Sequence, residues 1–185
     1  MTSDEGLMIE VRGGSRAAFE TLFERYREPI WRFFRRRTAD AGRAEELAQD
    51  TFVAILQGAR RYEPRGPFRS FLFGTAYNVL QADRRKAAFR ATQPLDTDPS
   101  FDEADPASGI WVRQAMATLN DGDREVLMLR EYEQLSYQEI ADLRQTPLNT
   151  VRSQLFRARL ALKAALEMTS APRDRDAMKV NDARR

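Results

Sequence analysis

Ser136-Tyr-Gln-Glu-Ile-Ala-Asp-Leu-Arg-Gln-Thr-Pro-Leu-Asn-Thr-Val-Arg-Ser-Gln-Leu-Phe-Arg-Ala-Arg-Leu-Ala-Leu162 carries the signals of two helices and a tight turn between them. Its first four residues fit a capping box, in which the Ser136 oxygen takes an orphan amide and Glu139 reaches back. The helix this opens is short, ending near Leu143, with Ile140 and Ala141 inward. Asn149-Thr150 can cap a second helix, in which Val151, Leu155, Ala158 and Leu162 recur at steps of four, three and four. A short helix, a tight connection and a longer helix form a helix-turn-helix. Its outward face offers Arg152, Ser153, Gln154 and Arg157, where such a motif presents side chains to a major groove. The alternative is an ordinary helical bundle whose arginines solvate an outer face.

Upstream, Gly109 to Leu119 reads as a short helix. Asn120-Asp-Gly-Asp123 breaks it and caps a further helix at Arg124 to Glu133, with Val126, Leu127 and Leu129 apolar. On the N-terminal side, Ala91-Thr-Gln-Pro-Leu-Asp-Thr-Asp-Pro-Ser-Phe-Asp-Glu-Ala-Asp-Pro106 holds three prolines and no apolar period. It supplies no buried face and reads as a linker. An acidic lid on a basic surface is the other reading of the same residues.

The first half also has the helical period. Phe19, Leu22, Phe23, Tyr26, Ile30, Phe33 and Phe34 share one face, and Pro29 is expected to break the helix, since a proline suits a first turn. Arg35-Arg36-Arg37 and a loop around residues 39–42 follow. Ala44 to Leu56 forms the next helix, with Leu47, Ala48, Phe52 and Ile55 inside and Glu45, Glu46, Gln49 and Asp50 on the polar side. Residues 58–67 are a basic loop carrying Tyr62. From Phe68 to about Phe89 a long helix buries Phe68, Phe71, Leu72, Thr75, Ala76, Val79 and Leu80. Asp83, Arg84, Arg85, Lys86 and Arg90 crowd its C-terminal end, either as a solvated, dipole-matched terminus or as a phosphate-contacting surface.

The 185 residues contain neither Cys nor His, which excludes a disulfide framework, a thiol nucleophile, an imidazole base and a Cys/His zinc site. No convergent acid–base set and no phosphate-binding glycine loop is present, so neither an enzyme, a cofactor nor a metal is expected. No apolar run approaches a bilayer span and the acidic N-terminus is no secretory signal, so a cytoplasmic protein is expected. The formal charge of +2 conceals a pattern. Residues 1–90 carry 17 basic and 12 acidic side chains, 91–110 carry 5 acidic and no basic ones, and 111–170 carry 8 of each. Only three of the 30 basic residues are Lys. Arginine suits phosphate forks and base edges, though a GC-rich genome would give the same bias.

Together these residues resemble a bacterial RNA polymerase sigma factor of the extracytoplasmic function (ECF) group, in the sigma-70 family. Residues 18–26, Ala44-Glu-Glu-Leu-Ala-Gln-Asp-Thr-Phe52, residues 68–78 and Asp83-Arg84-Arg85 match region 2. Leu119, Arg124-Glu-Val-Leu127, Leu135 to Ala141, Pro147 and Thr150-Val-Arg-Ser153 match region 4. The resemblance implies an all-α fold of two small helical domains joined by a flexible acidic linker, the second containing the helix-turn-helix. Region 2 is expected at 15–90, the linker at 91–108, region 4 at 109–167 and a disordered tail at 168–185.

The implied partners are core RNA polymerase through its β′ and β subunits, promoter DNA and an anti-sigma factor. Glu45, Glu46, Leu47, Gln49, Asp50 and Phe52 would dock on the polymerase. Arg60, Arg61, Tyr62, Arg65, Asn78, Asp83, Arg84 and Arg85 would hold and melt the −10 element, with Tyr62 or a nearby aromatic stacking on a base. Thr150, Arg152, Ser153, Gln154 and Arg157 would read the −35 element. Three departures from the family pattern stand in region 4. Arg144-Gln145 replaces Leu-Gly in the turn, Asn149 replaces Gly, and Gln154 replaces a common Arg. Either Gln145 bears the positive φ that glycine usually supplies, or the turn is built differently. A sigma-like protein that binds without initiating, and a conventional helix-turn-helix regulator, are the competing functional readings.

Overall fold

A computed structural model describes residues 2–91 and 110–170, and every regular element among them is a helix. The chain divides into two compact units, Met1–Pro106 and Ala107–Arg185. Of the expected linker at 91–108 and tail at 168–185, Ala91 still belongs to the fourth helix and 168–170 to the last, and the remainder lies outside the described residues. Among those described, no helix is long and apolar enough to cross a membrane.

The first unit holds α1 (Asp4–Arg12), α2 (Arg16–Arg35), α3 (Ala41–Gly58), a 3-10 turn (Ala59–Arg61) and α4 (Phe68–Ala91). Polar caps start the first three helices: Ser3 accepts from the amide of Gly6, Ser15 from that of Ala18, and Asp40 from those of Gly42 and Arg43. Gly14, at φ 96°, turns the chain between α1 and α2, a conformation that other residues enter only with strain. α1 lies ahead of the expected domain start, and buries Leu7, Met8 and Val11 against α2 and α4.

Pro29 does not break its helix: α2 runs through it without interruption to Arg35. A proline inside a helix costs roughly 3 kcal/mol. Here Tyr26 before it and Ile30, Phe33 and Phe34 after it are all buried, so packing against α1 and α3 holds both sides in register. The core they build is aromatic. Phe33 meets Phe34 edge-on at 5.0 Å and Phe73 at 5.8 Å, and Leu22, Leu47, Ile55, Leu72 and Leu80 fill the space around them. α4 buries Phe73 and Tyr77, which the expected stripe omitted, and leaves Phe71, which it included, partly exposed. Because α4 packs on α1, α2 and α3, its buried surface is wider than one stripe.

The second unit holds α5 (Ile110–Ala117), α6 (Asp121–Glu131), α7 (Tyr137–Arg144) and α8 (Leu148–Ser170). Arg124 of α6 clamps the end of α5, donating from Nε to the Met116 carbonyl at 2.9 Å and from Nη2 to that of Leu119 at 2.6 Å. The capping box forms as read: Glu139 N–H reaches Ser136 Oγ at 3.2 Å, and Ser136 N–H reaches Glu139 Oε2 at 2.7 Å. Gln145 bears the strain of the turn, with φ 52° and ψ 44°, while its side-chain amide donates to the Asp142 carbonyl at 2.6 Å. Asn149 and Thr150 do not cap the last helix, which starts at Leu148. The Pro147 carbonyl accepts from the amides of Thr150 and Val151, because a helix can begin directly after a proline. Val151, Leu155 and Ala158 are buried against α6 and α7.

Candidate functional site

Three surfaces gather the sequence-read residues. On α3, Leu47 and Phe52 turn into the core together with Ala48 and Thr51, while Glu45, Glu46, Gln49 and Asp50 stand exposed. Buried and exposed residues alternate at helical spacing, so the core fixes which side chains face out. The structure adds Val53 and Leu56, which continue the polar face with exposed apolar surface. Val53 follows Gln49 and Asp50 by four and three positions and Leu56 follows Val53 by three, a spacing visible in the sequence but hidden by the expectation that apolar residues face inward.

A second surface runs from the 3-10 turn along α4. Arg60 and Arg61 are exposed, as are Asn78, Arg84 and Arg85. Of the stacking alternatives, Tyr62 or a nearby aromatic, Tyr62 is buried. Its ring is 4% exposed and packs within 6.4 Å of Phe68 and 5.1 Å of Phe71. Burial raises the Tyr62 hydroxyl pKa above its ordinary value, with the charge of Glu5 adding to the effect. The aromatic offered to solvent beside this loop is Phe71, 38% exposed. Arg65 is exposed but pairs with neighbouring Glu63 at 2.7 Å. Asp83 faces protein more than solvent: it accepts from Arg43 of α3, which also holds Glu46. Those two carboxylates, Asp83 foremost, push the Arg43 guanidinium pKa above its ordinary value. Asn78, Ala82, Arg85 and Phe89 follow at steps of four, three and four, so they share one stripe of α4. Phe89, 85% exposed, lies beyond the core among Arg85, Lys86 and Arg90.

The basic run after α2 has a different fate. Arg37 is buried, stacks over the Phe33 ring at 3.9 Å and donates to the Phe33 carbonyl. Arg35, also buried, donates to the carbonyl of Thr38. Arg37 thereby satisfies a carbonyl in the last turn of α2, and Arg35 ties down the loop that follows it.

The third surface is α8. Thr150, Arg152 and Ser153 are exposed near its start. Arg152 makes one long contact, 3.3 Å to Asn149 Oδ1, and Ser153 Oγ donates to the Asn149 carbonyl. Gln154 and Arg157 are engaged within the unit. Gln154 accepts from Arg144 of α7 at 2.8 Å, and Arg157 pairs with Asp123 of α6 at 3.0 Å. Phe156, absent from the sequence reading, is 69% exposed on the same outward ridge as Ser153 and Leu160. Its signal was its phase, since it falls outside the Val151, Leu155, Ala158 stripe.

Comparison with known proteins matches residues 22–90 to the family model "Sigma-70 region 2" and residues 110–162 to "Sigma-70, region 4". The RNA polymerase sigma factor YlaC of Bacillus subtilis is 32% identical over 80% of this chain and 91% of its own. The RNA polymerase sigma-H factor of Pseudomonas aeruginosa is 29% identical over 89% of this chain and 94% of its own. Among solved structures, the sigma factor RpoE of Bartonella quintana, in complex with the anti-sigma factor NepR, superposes with a TM-score of 0.69. It shares 19% identity over 80% of this chain and 96% of its own. CnrH, in complex with the cytosolic domain of CnrY, gives a TM-score of 0.64 at 24% identity, over 90% of this chain and 99% of its own.

Proposed function

Since the chain belongs to the sigma-70 family as an ECF-type sigma factor, a non-catalytic initiation factor that binds RNA polymerase and directs promoter recognition, we propose how its surfaces divide that work. In this division region 2 spans 15–90 and region 4 spans 109–167, with the acidic linker between them. The outer face of α3 docks on the β′ subunit, with Glu45, Glu46, Gln49 and Asp50 meeting cations and Val53 and Leu56 meeting apolar surface. Leu47 and Phe52 act from inside, by fixing the rotation of the helix.

The 3-10 turn, the loop after it and the outer stripe of α4 take the −10 element. Arg60, Arg61, Arg84 and Arg85 neutralise phosphates of the separated strand. Phe71 takes the stacking role, since each base offers a π-face whatever its identity. Asp83 positions α4 through Arg43, because its carboxylate is anionic like a phosphate and is already held by that arginine. In region 4, Arg152 is the base-reading arginine of α8, Thr150 and Ser153 fix the backbone, and Phe156 offers apolar contact to a thymine methyl. The β subunit as a second docking partner, and an anti-sigma factor that covers these faces, complete the set of partners.

The observation that carries this reading is the outer face of α3, where four polar side chains share an exposed side while their neighbours Leu47, Ala48, Thr51 and Phe52 are buried. Capture of purified core polymerase tests it. Asp50→Arg should weaken capture at least tenfold with the fold intact, and unchanged affinity would remove α3 from the docking surface.

A further inference from the structure

α1 lies before the matched region 2 and outside the expected domain, yet it touches both ends of one loop. α4 begins immediately after Pro67, whose carbonyl accepts from the amides of Ser70 and Phe71. A proline at that position has no side-chain oxygen with which to cap the helix. Glu5 supplies the missing acceptor from another helix: its Oε1 receives the Phe68 amide at 2.8 Å. The negative carboxylate also complements the positive end of α4. This contact is the principal reason that the Glu5 pKa lies below its ordinary value. At the other end of α1, Arg12 Nη1 donates to the Tyr62 carbonyl at 3.1 Å, where the 3-10 turn ends.

The two contacts are matched in span. Glu5 and Arg12 are seven residues apart, about 10 Å along a helix, and the backbone groups they hold bracket Glu63-Pro-Arg-Gly-Pro67. All five of these residues are exposed. α1 is itself anchored through Asp4, which accepts from the Tyr26 hydroxyl at 2.5 Å and pairs with Arg25 of α2. Buried Leu7, Met8 and Val11 seat the same helix on the core.

We propose that α1 is a brace for the loop between Tyr62 and Phe68, with Glu5 and Arg12 as positioning residues for capture of the −10 strand. The proposal rests on the assignment of that loop and α4 to the −10 element. A loop that must accept an extruded base binds better when its ends are ordered beforehand, because less conformational entropy is then lost on capture. Two prolines stiffen the loop from within, and α1 holds its ends from outside. Neither Glu5 nor Arg12 needs to touch DNA.

Two readouts on the full chain test the brace and its use separately. The first is amide hydrogen exchange over residues 62–68 in the free protein. The second is the fluorescence gain of 2-aminopurine in the −10 element when core polymerase and the protein open a duplex promoter. Glu5→Ala should raise exchange at Phe68 and slow the fluorescence gain about tenfold, at unchanged affinity for core. Glu5→Gln should restore both, because its amide oxygen can take the same N–H. Unchanged exchange in Glu5→Ala overturns the proposal. Raised exchange with unimpaired opening also overturns it, and shows that the assignment of this loop to the −10 element is what failed. Should Glu5→Ala lose its helical circular dichroism, Arg12→Met releases the other end of the loop and carries the same predictions.

Discussion

Arg157 of α8 is gripped by Asp123 of α6 through two contacts, Nη2 to Oδ1 at 3.0 Å and Nε to Oδ2 at 3.3 Å. Asp123 is buried and also accepts from the Asn120 side chain, whereas the Arg157 side chain remains 57% exposed. The pair ties the last helix of the helix-turn-helix to the helix before it. It also occupies the guanidinium fork within the unit.

Arg157 and Arg152 should therefore behave differently. Arg157→Ala leaves a buried carboxylate with one partner fewer, and should destabilise region 4 by about 1–3 kcal/mol. Its effect on promoter affinity, measured well below the melting temperature, should be similar for all −35 sequences. Arg152→Ala should leave stability unchanged, cost about 1–3 kcal/mol on the matched promoter and relax preference at one position. Urea denaturation and binding to a set of single-base −35 variants separate the two.

Gln145 holds a left-handed conformation at φ 52°. A side chain there costs about 1 kcal/mol relative to glycine. Its amide contact to the Asp142 carbonyl recovers part of that. Gln145→Gly should stabilise region 4 by about 0.5 kcal/mol, seen as a higher denaturation midpoint, without changing −35 preference.

The helix-turn-helix was legible because its signals are local. Ser136 and Glu139 are three residues apart, and Val151, Leu155 and Ala158 lie within two turns, so spacing alone places them. The same holds for the split of α3 into Leu47 and Phe52 inside and Asp50 outside. What the sequence hid depends on distant neighbours. Pro29 stays helical because buried aromatics beyond it are gripped by other helices, and Tyr62 is buried because Phe68 and Phe71 close over it. Partners 34 to 63 residues apart, such as Arg157 with Asp123, Arg43 with Asp83 and Glu5 with Phe68, leave no spacing to read. Several candidate DNA-binding residues thus turn out to be held within the protein.

The aromatic exchange between Tyr62 and Phe71 has a direct consequence. Phe71→Ala should weaken binding of single-stranded −10 DNA by about 1–3 kcal/mol, the value of one base–aromatic stack. Tyr62→Phe keeps the buried ring and removes only its hydroxyl, which has no hydrogen-bond partner within the described residues. That change should leave DNA binding alone and should not lower stability. Fluorescence anisotropy with a labelled oligonucleotide reports the first, and thermal melting the second.

Glu5 predicts a pH dependence. Its pKa is lower in the folded protein than the ordinary value of 4.5. Its stabilising contribution is therefore complete above that value and is lost as pH falls through the lower, folded one. Glu5→Gln should remove this part of the acid destabilisation, flattening the stability curve below about pH 4.5 while the wild type continues to fall. Denaturant midpoints between neutral and strongly acidic pH check the difference.

The division of labour among α3, α4 and α8 is tested most directly by run-off transcription. Purified core RNA polymerase and this protein would be supplied with a promoter library randomised at the −35 and −10 elements. Initiation should be confined to templates that share one sequence at each element with a fixed separation. Asp50→Arg should abolish initiation, and Arg152→Ala should relax selection at −35 alone. Capture of core without initiation, or sequence-specific DNA binding indifferent to core, would contradict this division of labour.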